Sequence, residues 1–313
     1  MDKLLSAAKK AIMNVLKIKK GEKVLLVTDR QKMPVAEALA FWCKKAGAET
    51  TTYLMTETLR PITEPTKLFE EMIKKVTVTM YMLDSRIQEK PFRYFMVRNG
   101  SRYGRICMMP GITVDMMERL VNIDFKQMDD LSRKVIRKMT DAKVVHVTNP
   151  LGTDIRFSLE GRRWENDNGN ISKKGKHGNL PAGECYTAPV EDSFTGRIVM
   201  SLIDDKVGWG EMEFKAGKLV RFKGKGIEAV VKNIGSDESG RIVGEFGIGT
   251  NRGAKICKNM LEAEKAFGTC HFAIGDSYGL GKNKSKHHYD ALVEKVTITS
   301  DSRYILQNGK FLI

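Results

Sequence analysis

Side chains able to bind a metal ion are concentrated in a short segment near the C-terminus, from Gly268 to Asp290. Three of the five histidines lie in this segment, which ends in His288-Tyr289-Asp290. The residues that follow, ALVEKVTITS, are rich in β-branched side chains and predict a strand. Because alternate residues of a strand face the same side, His288 and Asp290 are predicted to chelate one cation together.

Further candidate ligands lie outside this pair. His271 belongs to a second predicted strand, His271–Ile274, and Tyr278 follows in a glycine-rich loop. Glu184 in NLPAGECYTAP and Glu245 in RIVGEFGIGTN stand among small and apolar residues, where an unpaired charge is costly. A single histidine is more often a core or surface residue, and each glutamate is also open to interpretation as an ordinary loop residue. Together, however, these side chains indicate a metal site.

The candidate ligand set combines nitrogen and oxygen donors without a thiolate. It consists of Glu184, Glu245, His271, His288 and Asp290. Such a set suits Zn²⁺, Co²⁺ or Mn²⁺, and three carboxylates with two imidazoles are enough for two ions that share a ligand. Four neighbours are assigned other positions: Cys185 and Cys270 are predicted to pack away from the site, His287 to face away from it, and Glu264 to lie on a helix face.

The first half of the sequence alternates predicted strands with predicted helices. The strands are Lys23–Thr28, Glu49–Met55, Val76–Met82, Tyr103–Met108 and Lys143–Val147, and the helices are 1–20, Pro34–Ala46, Thr66–Lys75, Pro91–Arg98, Val114–Leu120 and Phe125–Thr140. This alternation predicts right-handed crossovers and a mostly parallel sheet. Since no GxGxxG follows the first strand, a dinucleotide site is not supported.

From Asn149 onwards the pattern changes to short strands separated by glycine-rich turns. Hairpins are predicted across Ala216-Gly217 and Asn308-Gly309, and Asp167–Gly178 is predicted to be a polar loop with a solvated His177. The sequence therefore predicts an α/β protein of two domains. A mostly parallel N-terminal α/β domain covers residues 1–150, and a strand-rich α+β metal-binding domain covers residues 151–313.

Composition limits the remaining function classes. The chain has 53 basic and 38 acidic residues, a net charge of +15, and most of the excess lies in the first half. These charges form no run of five and match no nucleic-acid-binding motif, so nucleic acid is not an expected partner. No apolar stretch approaches the ~18 residues of a membrane span, and no membrane association is expected. Five cysteines without a CxxC pair predict reduced thiols in a cytoplasmic protein.

Four blocks of the second half resemble the aminopeptidase T/aminopeptidase S family, the thermophilic leucyl-type dinuclear metallo-aminopeptidases. They read NLPAGECYTAPVEDS, GEFGIGTN, EKAFGTCHFAIGDSY and GKNKSKHHYD. The resemblance implies a homodimer with two divalent metal ions, Zn²⁺ or Co²⁺ and alternatively Mn²⁺. It implies that the ligands are Glu184, Glu245, His271, His288 and Asp290, and that Tyr278 is the active-site tyrosine. The chain departs from the family in being shorter and in having Leu280-Gly281 where paired glycines are usual.

The expected activity is hydrolysis of the N-terminal peptide bond of a peptide by a metal-activated water. Tyr278 would donate a hydrogen bond to the oxyanion or would only brace its loop, and either Glu184 or Glu245 would carry the proton to the leaving amine. The alternative is an inactive relative that binds metal or polyanions. A GxSxG elbow is absent, and Gly281-Lys282 lacks the Ser or Thr of a phosphate-binding loop.

Overall fold

A computed structural model describes residues 2–84, 86–204 and 206–313. Met1, which the sequence predicts as the start of the first helix, lies outside the described residues. The chain forms two compact units. The first comprises the residues up to Phe125 together with Gly169–Ala182, and the second comprises Lys126–Asn168 together with Gly183–Ile313. The predicted domain boundary near residue 150 falls within the second unit.

Helices and strands are numbered in chain order. The helices are α1 (Lys3–Lys10), α2 (Met33–Lys45), α3 (Lys67–Lys74), α4 (Lys90–Tyr103), α5 (Val114–Met116), α6 (Phe125–Met139), α7 (Lys225–Ile234) and α8 (Met260–Ala263). The strands are β1 (Lys23–Thr28), β2 (Glu49–Leu54), β3 (Val78–Met82), β4 (Arg105–Met108), β5 (Val145–Thr148), β6 (Asp154–Phe157), β7 (Glu165–Asp167), β8 (His177–Asn179), β9 (Glu184–Thr187), β10 (Thr195–Ile203), β11 (Lys206–Lys215), β12 (Lys218–Lys223), β13 (Val243–Gly249), β14 (Cys270–Gly275), β15 (His288–Val293), β16 (Thr297–Ser300), β17 (Arg303–Gln307) and β18 (Lys310–Phe311). One-turn π-helical segments continue α1 and α5.

The first unit contains a parallel sheet in the strand order β2-β1-β3-β4-β8. β3 is buried along its whole length, and β1 is buried after Lys23, as expected for a parallel sheet with both faces covered. The apolar faces of α3 and α4 pack on it through Phe69 and Phe92. The predicted parallel α/β region is therefore confirmed. The exposed His177, predicted to lie in a loop, instead begins the edge strand β8.

The second unit is built on a large antiparallel sheet in the order β18-β17-β16-β5-β6-β10-β15-β14-β13-β9-β7, with β11 and β12 added at β10. The prediction that Lys143–Val147 closes the parallel sheet is wrong. β5 pairs antiparallel with β6 and β16. The reason lies in its pattern, because buried Val145 and Val147 alternate with partly exposed neighbours. That alternation is typical of an antiparallel strand with one covered face.

Tight turns and aromatic packing stabilise this sheet. The two predicted hairpins are confirmed by the pairing of β11 with β12 and of β17 with β18. In the C-terminal hairpin Asn308 and Gly309 have φ values of 46° and 75°, the left-handed conformation that an Asn-Gly turn favours. One face of the sheet buries Phe157, Phe246 and Phe272, whose rings pack edge to face or stacked. In the described part of the chain, no helix combines the length and apolarity needed to cross a membrane.

Candidate metal centre

Four neighbouring strands of the second unit carry the five predicted ligands. Glu184 begins β9, Glu245 lies on β13, His271 on β14, and His288 and Asp290 on β15. These strands are adjacent in the order β15-β14-β13-β9, so residues far apart in sequence become cross-strand neighbours. Because strand residues alternate between faces, the ligands face one side and their sequence neighbours the other. Cys185 and Cys270 lie in the hydrophobic core, which confirms their predicted packing role.

The glycine opposite His271 makes room for the imidazole. Gly247 pairs with His271 across β13 and β14. A Cβ atom at Gly247 would lie 2.2 Å from ring atoms of His271, far inside van der Waals contact. Glycine is therefore required at position 247 for steric reasons, and any larger residue there would push the His271 ring away from Glu184 and Glu245.

The five side chains form a continuous cluster. His271 Nε2 lies 3.2 Å from Glu245 Oε1 and 3.3 Å from Glu184 Oε2. His288 Nε2 lies 3.4 Å from Asp290 Oδ1 and 3.9 Å from Glu245 Oε2. Ligand atoms of Glu245, His288 and Asp290 lie within 4.8 Å of one another, close enough to bind a single ion. Glu245 stands between the two imidazoles and connects the two halves of the cluster.

A hydrogen bond outside the cluster fixes the proton position on His288. Its Nδ1 lies 2.8 Å from the carbonyl oxygen of Asp276. A carbonyl can only accept, so Nδ1 carries a hydrogen, and Nε2, which faces Glu245 and Asp290, is the nitrogen that would bind a metal ion. Metal-binding histidines commonly have such an arrangement, in which a second partner fixes the tautomer. His287 faces away as predicted, towards Asp237 and the ring of Tyr289.

The imidazoles respond to the surrounding negative charge. Burial lowers the pKa of His271, but the hydrogen bond with Glu245 and the neighbouring carboxylates outweigh it and raise the pKa to about 9. Burial also lowers the pKa of His288, but the charges of Asp290 and Glu245 outweigh burial and raise this pKa to about 10. Both rings therefore lie in a negative environment that favours the protonated, positively charged imidazole.

The structure adds three side chains to this cluster that sequence reasoning did not place there: Asp167, Glu264 and Lys265. Lys265 is fully buried, and its Nζ lies 2.8 Å from Glu184 Oε1, 4.0 Å from Asp167 Oδ2 and in close contact with Glu264. The prediction that Glu264 lies on a helix face is wrong, because α8 ends at Ala263 and the Glu264 side chain turns inward to this ammonium. The only sequence signal was a Glu-Lys pair between apolar residues, and lysine is rarely buried.

The balance of charge shows that the cluster fits divalent cations. It contains five carboxyl groups against three basic groups, Lys265 and the two imidazoles, and burial raises the pKa of both Glu245 and Glu264. Buried charge without compensation is strongly unfavourable. Within the described residues, His271 Nδ1 and Asp290 Oδ1 are buried and lack a hydrogen-bond partner. Divalent cations bound among these nitrogen and oxygen donors would supply the missing positive charge. The members of the cluster are Asp167, Glu184, Glu245, Glu264, Lys265, His271, His288 and Asp290.

Tyr278 lies at the solvent side of the cluster. Its side chain is 53% exposed, and its ring centroid lies 4.4 Å from that of His288. The loop that carries it is closed by Ser277, whose hydroxyl donates to the carbonyl of Asn283 at 2.7 Å. Further along, Glu191 accepts a 2.6 Å hydrogen bond from the backbone N–H of Lys282. The aromatic ring is thus held where an incoming ligand can reach its hydroxyl.

Two solved structures share this fold over nearly the whole chain. The first, 2,5-dihydroxypyridine dioxygenase from Pseudomonas putida, has a TM-score of 0.74 and 14% sequence identity, with 100% of this chain and 98% of that chain covered. The second, AmpT from Thermus thermophilus, has a TM-score of 0.73 and 17% identity, with 99% of both chains covered. A dioxygenase and AmpT share the architecture, so the fold by itself does not define the reaction.

Sequence comparison is more specific than the fold. No functionally curated protein matches the sequence significantly. A profile of the family described as "Thermophilic metalloprotease (M29)" matches residues 123–309, more than half of the chain and the whole of the metal cluster. This match confirms the resemblance to the aminopeptidase T/aminopeptidase S family. The chain belongs to the thermophilic metalloprotease (M29) family and is a metal-dependent peptidase.

Proposed function

We propose that this protein is an aminopeptidase, which removes the N-terminal residue of peptides with two divalent metal ions, Zn²⁺ or Co²⁺ and alternatively Mn²⁺. The observation that carries the proposal is the convergence of two histidines with the buried Glu184 and Glu245 and the partly buried Asp290 on adjacent strands of the matched region. The bound ions would acidify a water molecule and polarise the scissile carbonyl. The following roles are those of the protein's own side chains.

In this proposal the two ions would share Glu245. His271 and Glu184 lie on one side of this glutamate, and His288 and Asp290 lie on the other. Glu245 turns Oε1 towards His271 and Oε2 towards His288, so this carboxylate would help to hold both ions. Lys265 Nζ lies 2.8 Å from Oε1 of Glu184, and this contact leaves Oε2 of the same carboxylate directed to His271.

Tyr278 and the glutamates would carry the proton and charge movements of the reaction. The Tyr278 hydroxyl would donate a hydrogen bond to the oxyanion, and loss of one such donor typically lowers the rate by about 10² to 10³. Its exposure and its contact with His288 support this role. Glu184 or Glu245 would deliver the proton to the leaving amine. A substrate's free α-amino group would be held by the negative cluster, which would restrict cleavage to the first residue.

The test compares metal-free protein with protein reloaded with Co²⁺, Zn²⁺ or Mn²⁺. We expect metal-dependent release of 4-nitroaniline from leucine 4-nitroanilide and no release from its N-acetyl derivative. The variants Glu245→Gln and His271→Ala should lose activity and bind less metal by elemental analysis. His287→Ala is the matched control, because it removes an adjacent imidazole that faces away from the cluster.

The outcomes separate the proposal from its alternatives. Hydrolysis of the N-acetylated substrate would contradict the restriction to N-terminal residues. The protein would then still be a metallopeptidase but not an aminopeptidase. Stoichiometric metal without turnover of any peptide would favour the inactive metal-binding relative. One equivalent of metal in the active protein would contradict the dinuclear site.

A homodimer in the cytoplasm completes the proposal. The cysteines are free and four of the five are buried, which suits a reducing compartment. Burial raises the pKa of Cys43 to about 12, so this thiol is protonated and unreactive at neutral pH. Light scattering coupled to size-exclusion chromatography tests the oligomer, and a mass of one 35.2 kDa chain would contradict it.

A further inference from the structure

The parallel sheet of the first unit collects positive charge along one edge. Its five strands run in the same direction, so the segments that enter them all lie at the amino-terminal edge. Backbone hydrogen bonds join these segments directly. They run from Gly21 N to Gly47 O, from Thr77 N to Lys23 O, from Arg105 N to Thr77 O and from Gly175 N to Gly104 O. The edge is therefore one continuous surface, here called the amino edge, built from residues 17–23, 44–49, 74–77, 102–105 and 172–177.

Twelve exposed cationic side chains lie on the amino edge: Lys17, Lys19, Lys20, Lys23, Lys44, Lys45, Lys74, Lys75, Arg102, Lys173, Lys174 and Lys176. Its sequence segments contain only two acidic residues, Glu22 and Glu49. Both oxygens of Glu22 are taken up by the buried Arg105, at 2.7 and 2.8 Å. Among the described residues, one of the twelve cations is ion-paired, Lys74 with Glu71. The surface thus has a large excess of uncompensated positive charge.

Helix stabilisation accounts for part of this charge but not for all of it. Cations at the C-terminal ends of helices interact favourably with the helix dipole, which explains Lys44, Lys45 and Lys74. Lys173, Lys174 and Lys176 precede the edge strand β8 and follow no helix. Concentrating like charge costs free energy of self-repulsion, so these lysines need a different explanation.

The cations form a row rather than a compact pocket. In sheet order the contributing segments are 44–49, 17–23, 74–77, 102–105 and 172–177. Strands are spaced about 4.8 Å apart, so five strands extend this row over about 19 Å. None of the large apolar side chains described as exposed lies in these five segments. A row of flexible ammonium groups without apolar anchors suits a linear polyanion better than a membrane into which apolar side chains insert.

We propose that the amino edge binds nucleic acid through its phosphates, without base specificity. Such binding is independent of the metal centre, because every residue of the edge belongs to the first unit and every member of the cluster to the second. The sequence does not reveal the surface, because its cations come from five separated segments that contain at most a few basic residues each.

The experiment measures binding of the full-length protein to a fluorescein-labelled RNA of about 20 nucleotides by anisotropy over a range of salt concentrations. The test variant changes Lys173, Lys174 and Lys176 to Glu. A second variant changes Lys19, Lys44 and Lys75 to Glu and samples three other segments of the same edge. The matched control changes the exposed Lys225, Lys232 and Lys258 of the second unit to Glu, with the same change in net charge.

We expect each edge variant to weaken RNA binding more than tenfold and to flatten the plot of log K against log salt by roughly 0.7 per lost phosphate contact. The control should retain affinity, and all variants should keep the wild-type circular dichroism spectrum. Equal losses in edge and control variants would overturn the proposal, since net charge alone would then explain binding. Binding to phosphatidylserine vesicles but not to RNA at the same salt concentration would also overturn it and would indicate a membrane surface.

Discussion

At the scale of single residues, the buried ammonium of Lys265 organises the metal cluster. It contacts Glu184 and Glu264 and lies 4.0 Å from Asp167. Burial lowers the pKa of this ammonium, but the carboxylates around it outweigh burial and raise the pKa well above its ordinary value. Lys265 therefore remains charged and stabilises the carboxylates that it contacts.

Replacing Lys265 with Met should destabilise the metal-free protein. The substitution keeps the length of the side chain but leaves Glu184 and Glu264 without their cation, and removal of one partner of a buried ion pair typically costs about 3–5 kcal/mol. Urea unfolding of the chelated protein, followed by circular dichroism, measures the loss. Lys232→Met, at an exposed position, should change the unfolding free energy by no more than about 0.5 kcal/mol. A similar small effect at Lys265 would contradict the structural role of its charge.

At the scale of elements, the loop between β14 and β15 connects Tyr278 to the body of the second unit. Glu191 accepts from the backbone N–H of Lys282 at 2.6 Å and also forms an ion pair with Arg162. A Cβ atom at Gly281 would lie 2.6 Å from the same glutamate oxygen, so the departure Leu280-Gly281 still keeps glycine where the contact requires it. Glu191 therefore acts as a positioning residue for the loop.

Glu191→Gln should reduce peptidase activity without changing metal content. The neutral amide loses the ion pair with Arg162 and weakens the bond to Lys282, so the Tyr278 loop becomes less ordered. We expect kcat/KM to fall about tenfold or more, and to fall much less in a Tyr278→Phe background, because mutations acting through one contact are not additive. The neighbouring exposed Asp192→Asn is the control. If the losses of kcat/KM in the two single variants add fully in the double variant, Glu191 does not act through Tyr278.

In the first unit, buried ionic groups centred on Arg60 join the segments that follow β1 and β3. Arg60 forms two hydrogen bonds with Glu89, of 2.9 and 2.6 Å, and neither side chain is exposed. Arg60 also contacts Asp29, which follows β1, and the carbonyl of Asp84, which follows β3. Burial raises the pKa of Glu89, but the hydrogen bonds from Arg60 and Ile62 and the charge of Arg60 lower it below the ordinary 4.5.

The stability of the first unit should depend on pH through Glu89. A carboxyl with a lowered folded-state pKa stabilises fully above its unfolded pKa of about 4.5 and loses this contribution as pH falls through the lower folded value. At pH 7 Glu89→Gln should therefore lower the unfolding free energy by about 3 kcal/mol or more, and the difference should shrink below pH 4.5. Trp42 fluorescence in a Trp164→Phe/Trp209→Phe background reports this unit alone. If the difference in unfolding free energy between wild type and Glu89→Gln does not change with pH, the proposed role of the Glu89 charge is contradicted.

At the scale of the whole molecule, we expect metal binding to be coupled to folding of the second unit. The five predicted ligands lie on β9, β13, β14 and β15, so unfolding of the sheet would separate them. A ligand that binds only the folded state stabilises it, by about 2.7 kcal/mol at a hundredfold excess over Kd. We expect Co²⁺ or Zn²⁺ to raise the Tm of the chelated protein by several degrees. Calorimetry of His288→Ala, which should show little or no shift, is the control, and a full shift in that variant would place the metal elsewhere.

The sequence predicted the elements well because their causes are local. Alternating apolar patterns, Asn-Gly turns and runs of β-branched residues depend on a few adjacent residues, and the strand with His271 was located from them. The segment ALVEKVTITS, predicted as one strand, is instead divided between β15 and β16. Sheet membership was less predictable. β5 was predicted in the parallel sheet, although its partners β6 and β16 belong to the second unit, because strand pairing depends on residues far away in sequence.

The sequence by itself determined the types of chemical groups available: two imidazoles and several carboxylates in motifs that identify a metallopeptidase family. Only the tertiary structure decided which groups meet. It turned Glu264 inward, buried Lys265 between carboxylates and aligned scattered lysines along one edge of a sheet. The physical reason is that a side chain's own pattern sets its strand and face, whereas its electrostatic surroundings come from strands paired across long distances in sequence.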